Sequence, residues 1–175
     1  MKRLWLTFAV LGALALPATA AAAVSPSDFK DAAKFCKAVR AETGLATFKD
    51  AYGTGKKKSN AYGKCVSKQA RVEHQNRSNA ARDCRDERSL GAPAFNGKYG
   101  TGHKQANAFG KCVSQKSRAA SKDEQEATVN AAKTCRVERS ANAQAFKDHY
   151  GTNHNKSNAF GKCVSQHAKA QNDGN

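Results

Sequence analysis

Isoleucine is absent from this 175-residue chain, and beyond residue 23 leucine survives only as Leu45 and Leu90. What remains apolar there is alanine, a few valines, the aromatics and cysteine. A chain of this length could form one ordinary domain. Without large aliphatic side chains it cannot fill a single thick core. Thin helical units tied by crosslinks suit such a composition better. No CxxC pair occurs, so the close-spaced half of a zinc site is missing, and no CxxCH occurs, which excludes covalent haem of that type. No carboxylate recurs at one place through the chain's repeats, and no Ser/His/Asp or Cys/His set has a catalytic spacing. The expectation is a protein that is not an enzyme and uses no cofactor or metal.

The first 23 residues read as an export signal. Lys2 and Arg3 are followed by the apolar run from Leu4 to Leu16, which is too short to span a bilayer comfortably. Pro17 ends the run, and Ala18-Thr19-Ala20 is a small-residue cleavage site. After cleavage no transmembrane segment is expected, and the destination is secreted or periplasmic. Removing Lys2 and Arg3 leaves 28 basic residues against 14 acids, a net charge of +14. Such a surface attracts nucleic acid, acidic polymers or anionic envelope components. The alternative is that the charge only keeps a weakly packed protein soluble, in a structural or protein-interaction role.

What the chain does have is one phrase written three times: Asn60 to Ser67, Asn107 to Ser114 and Asn158 to Ser165, each reading NA(Y/F)GKCVS. A second cysteine precedes each copy: Cys36, Cys84 and Cys135. The repeats span 25–73, 74–121 and 122–175.

Ser25, Pro26 and Asp28 form a helix start, and a helix from there to about Thr43 would place Phe29, Ala32, Ala33, Cys36 and Val39 on one face. A short helix from Leu45 to Tyr52 sets Phe48 and Tyr52 four apart; Phe95/Tyr99 and Phe146/Tyr150 repeat the pair. Gly53, Gly100 and Gly151 then read as left-handed helix stops. Asn60, Asn107 and Asn158 read as caps for the helix that carries the phrase. Glycine within that helix's first turn, at Gly63, Gly110 and Gly161, costs roughly 1 kcal/mol against alanine. Its repetition implies close approach by a backbone or a ring at each.

No Gly or Pro lies between Cys65 and Cys84 or between Cys112 and Cys135. Each stretch is predicted to be one continuous helix joining two repeats. The spacings, 19 and 23 residues, differ by about one turn, which preserves the cysteines' facing to about 40°. The competing reading is a charged, fraying linker. A continuous helix of that length spans about 28 Å between Cys65 and Cys84, too far for a bridge. Pairing within repeats gives Cys36–Cys65, Cys84–Cys112 and Cys135–Cys163.

The candidates for ligand contact are basic. Arg40, Arg88 and Arg139 lie four residues after the first cysteine of each repeat, one per unit, and could meet phosphate or carboxylate groups. The helix dipole alone also favours cations there. The loops offer Lys56, Lys57 and Lys58, then His103 and Lys104, then His154 and Lys156. Each loop leads into a helix N-terminus, which favours anions; a purely structural turn is the alternative. The paired-cysteine unit with FxxxYGT before NAFGKCVS resembles repeats of small exported bacterial proteins of unassigned function. The resemblance covers all three units, with Tyr62 for Phe and one extra residue in the first. It implies export and modularity and carries no activity. The expected architecture is all-α: three tandem disulfide-locked helical hairpins joined by continuous helices into an elongated array.

Overall fold

The computed structural model describes residues 24–173. The export segment expected over 1–23 lies outside the described residues. Within them the chain is all-helical, with α1 (Pro26–Thr43), α2 (Leu45–Tyr52), α3 (Ala61–Leu90), α4 (Ala92–Tyr99), α5 (Ala108–Ala141), α6 (Ala143–Tyr150) and α7 (Ala159–Asp173). The two stretches between repeats are uninterrupted helices of 30 and 34 residues. All six cysteines pair as expected, Cys36–Cys65, Cys84–Cys112 and Cys135–Cys163.

Ser25 and Asp28 form a reciprocal capping box at the start of α1, with Pro26 in the first turn. The buried face of α1 is Asp28, Ala32, Phe35, Cys36, Val39 and Thr43. The ring on the core side is therefore Phe35, and the expected Phe29 lies 46% exposed. Asp28 and Ala32, four apart, with Phe35 three further on, set the phase, and Phe29 falls one residue off that line. The Phe–Tyr pairs do share faces, with ring centroids 5.0, 4.9 and 4.9 Å apart.

Two local expectations are corrected. Gly53, Gly100 and Gly151 have φ of −78°, −74° and −76°, extended rather than left-handed. They are glycine because the loop folds back on them: a Cβ on Gly53 would stand 2.5 Å from Lys58 Cβ and 2.7 Å from the Lys49 carbonyl oxygen. The left-handed residues of the loops are Lys58, Gln105 and Lys156, together with Gly55 and Gly102. The asparagines do not cap the following helix with their side chains. Asn60, Asn107 and Asn158 turn back, each accepting from the backbone N–H of Thr54, Thr101 or Thr152 and donating to that threonine's hydroxyl. Each loop is a ring closed by an Asn–Thr double hydrogen bond.

Cys36 meets Cys65 while Asp28 meets Arg77, so α1 and α3 run antiparallel. Cys84 meets Cys112 while Glu73 meets Ser121, so α3 and α5 do the same. The chain returns along α5 until Val129 enters the core of the first repeat beside Phe35 and Val39. Repeats 1 and 3 thus share one end and repeat 2 occupies the other, with 19 residues of α3, roughly 28 Å, between their bridges. Helix α5 touches every other helix, and α2 of the first repeat packs on α7 of the third. There Gly161 meets the expectation of close approach: a Cβ would sit 2.6 Å from the Ala51 carbonyl oxygen. At Gly63 and Gly110 the expectation fails, because nothing lies within 4 Å. Each repeat has its own buried cluster around its disulfide.

Candidate functional site

The basic residues singled out in the sequence separate into engaged and free groups. Lys58 reaches back 2.7 Å to Asp50, and Lys156 pairs with Asp148 in the same way. Arg139 donates to Asp50 at 2.6 Å and lies over the Phe160 ring, 4.6 Å from its centroid. Burial opposes the charge on Asp50, but Lys58 and Arg139 overcome it and hold the carboxyl below its ordinary value. Arg88 lies over the Phe109 ring at 5.3 Å. Arg40, Lys56, Lys57, His103, Lys104 and His154 are exposed. The three arginines do not form a row: Arg40 and Arg139 belong to one end of the molecule and Arg88 to the other.

Glu87 and Glu138 do not pair with the arginines that follow them. Glu87 accepts from Lys98, Tyr99 and Lys116, which keep its pKa low. Glu138 accepts from the Tyr150 hydroxyl at 2.7 Å and faces His167 at 2.9 Å. That hydrogen bond, with burial, pushes the Tyr150 pKa up to about 12. His167 also lies with Cys135 and Cys163, ligand atoms within 4.8 Å of one another. Both sulfurs are bonded to each other, so neither is available as a thiolate ligand.

A polar layer crosses the middle of the bundle. Asp28 is fully buried and takes Arg77 at 2.9 Å and His74 at 3.5 Å, both from α3. Burial raises its pKa, but the Ser25 hydrogen bonds, then Arg77 and His74, more than offset this and leave it lowered. Further along α3, Gln69 donates to Glu73 and to Glu124, each at 3.2 Å, and Ser121 donates to Glu73. Burial, reinforced by Glu73, raises the Glu124 pKa. Beside this layer, between α1, α3 and α5, opens a cleft of about 280 Å³, with Lys34, Arg77, Arg118 and Lys122 around Asp31 and Glu73. Lys34 pairs with Asp31, Arg77 with Asp28 and Asp31, and Lys122 with Glu126, so Arg118 is the cleft cation with no acid partner among the described residues.

Sequence reasoning missed this layer. Glu73, Glu124 and the cleft arginines belong to stretches that read as solvated helix between repeats, and only the helix-forming role of Asp28 was visible. The signal that could have exposed them is the alanine face of α5, Ala127, Ala131 and Ala132, which marks burial on a helix with few large side chains. No family model, curated protein or solved structure matches the chain. Three disulfides are the chemistry of an oxidising, extracytoplasmic compartment. Among the described residues no helix is long and apolar enough to cross a membrane.

Proposed function

We propose an exported, secreted or periplasmic, non-enzymatic helical repeat protein that binds polyanions through its basic surface: acidic polymers, nucleic acid or anionic envelope components. The observation that carries this reading is the charge inventory of the folded chain. With 28 cations against 14 acids after the export segment, at least half the cations have no acid of their own. Moreover, acids are shared or buried: Asp50 holds two cations, and Asp28 is fully buried. Lys56, Lys57 and His154 stand exposed at one end, His103, Lys104 and Arg88 at the other, and the cleft lies between. Weak contacts spread in this way gain strength on an extended polymer.

The test is elution of the oxidised protein from heparin and DNA columns on a salt gradient. Binding by counterion release falls steeply with salt. Charge reversal at Lys56, Lys57 and Lys104 should advance elution from both columns. Retention indifferent to salt would defeat the proposal. A second reading, a structural or protein-interaction role, is favoured by the uncovered helix faces at Gly63 and Gly110. A protein partner retained at high salt would support it.

A further inference from the structure

The contact between repeats 1 and 3 is a template that the chain uses once and leaves half-assembled elsewhere. Its receiving side is Arg139, Phe160 and Gly161. The arginine stacks on the ring, and the bare glycine admits the backbone of Ala51. Its entering side is α2, which carries Asp50 for Arg139. The approach to Gly161 is by backbone atoms of Ala51, its carbonyl oxygen and carbon and its Cα. Covered in this way, Phe160 and Val164 are only 4% and 5% exposed.

Repeat 2 carries the same receiving side with nothing in it. Arg88 stacks on Phe109 as Arg139 does on Phe160. Gly110 has nothing within 4 Å, and Phe109 and Val113 are only half-buried. Repeat 1 is a poorer copy, because its ring is Tyr62, whose hydroxyl is committed to the Ala33 carbonyl. An unused entering side also exists. Helix α6 reads FKDHYG where α2 reads FKDAYG, while α4 reads FNGKYG and lacks the aspartate. Asp148 is held by Lys156 as Asp50 is held by Lys58, but among the described residues no arginine reaches it. His149 replaces Ala51; the three atoms nearest the bare face of Gly161 are backbone atoms, which any residue there would present, and the Ala51 side chain packs beside them against the third repeat's core. The free entering side belongs to repeat 3 and the free receiving side to repeat 2, at opposite ends of the bundle, so they cannot meet within one molecule.

We propose that a second copy of this chain docks α6 on the Arg88–Phe109–Gly110 face, with Asp148 taking Arg88. Such a contact is heterologous: each copy offers one entering and one receiving side, and association runs head to tail. Arg88 belongs to both readings, but the two tests stay separate: the column test reverses Lys56, Lys57 and Lys104, which take no part in this contact, and the test below reads self-association.

The test is sedimentation velocity on the oxidised full chain up to about 1 mM, the range in which a small interface associates. The wild type should sediment faster as concentration rises. Gly110→Leu blocks the receiving side and Asp148→Arg the entering side, and each alone should remain monomeric. Mixed in equal amounts, the two variants retain one working side each and should form a 1:1 dimer and nothing larger. Circular dichroism and the absence of free thiols establish that both variants fold; if Gly110→Leu does not, Arg88→Ala takes its place. A wild type that stays monomeric throughout, variants that associate as it does, or a mixture that fails to dimerise would each overturn the proposal.

Discussion

Asp28 and Glu124 are both carboxylates drawn into the bundle, and they act on stability in opposite directions. The folded chain lowers the pKa of Asp28 from its ordinary 3.8. Its contribution is therefore present above that value and is lost as pH falls through the lowered folded one. The folded chain raises the pKa of Glu124 from its ordinary 4.5, first by burial and then by the charge of Glu73. Folding therefore favours its protonated form: the benefit is complete below 4.5 and disappears as pH rises through the raised value. At neutral pH Glu124 is a charge held in an unfavourable place. Glu124→Gln keeps a carbonyl oxygen for the Gln69 amide and removes that charge. The variant is expected to be more stable than the wild type at pH 7, by up to about 1 kcal/mol for a group still partly in water. The gain should shrink toward pH 4, and urea midpoints of both proteins at the two pH values measure it.

At the scale of the element, α3 and α5 decide the architecture, and both were legible. The missing Gly and Pro between repeats and the one-turn difference in cysteine spacing specify continuous helices; these rule out a bridge along one helix, and pairing within each repeat sets the end of one helix against the start of the next. The return of α5 against α1 was not legible, because Val129 is the one α5 residue in the cluster with Phe35 and Val39, and a single valine carries no periodic signal. The loop cations were legible as residues but not as partners, since Lys58 and Lys156 are occupied by aspartates that the sequence places eight positions away. The buried Glu73–Gln69–Glu124 group was invisible, because polar residues on a helix read as solvated until a neighbouring helix covers them. The continuity of α5 is open to test at Ala119, which is exposed about a third of the way along it. Ala119→Pro removes one helix bond and clashes with the preceding turn, at a cost of roughly 3 kcal/mol. A free linker at this point would tolerate it. Thermal unfolding should show a lower midpoint and, because α5 is the one helix that touches all the others, reduced amide protection in both halves.

At the scale of the molecule, the three bridges close nearly equal rings, with sequence separations of 29, 28 and 28. The chain-entropy model assigns each about 3.5 kcal/mol, a large part of the total for a small domain. Any difference between them must then arise from what else supports each repeat. The first repeat's core takes in Val129 from α5, and the third repeat's core takes in Ala51 from α2. These two repeats hold each other through α2 on α7 and through Arg139 on Asp50. Repeat 2 stands alone at the far end, and its buried cluster is the smallest: Cys84, Phe95, Tyr99, Ala108 and Cys112, two of the five being the bridge itself. Replacing Cys84 and Cys112 with alanine is therefore expected to lower the melting temperature more than replacing either other pair. The damage should stay local, with amide protection lost in α4 and in the adjoining ends of α3 and α5, and retained in α2 and α6. Equal losses from the three double variants would mean that the rings alone, and not the packing of repeats 1 and 3 on each other, set the stability of each end.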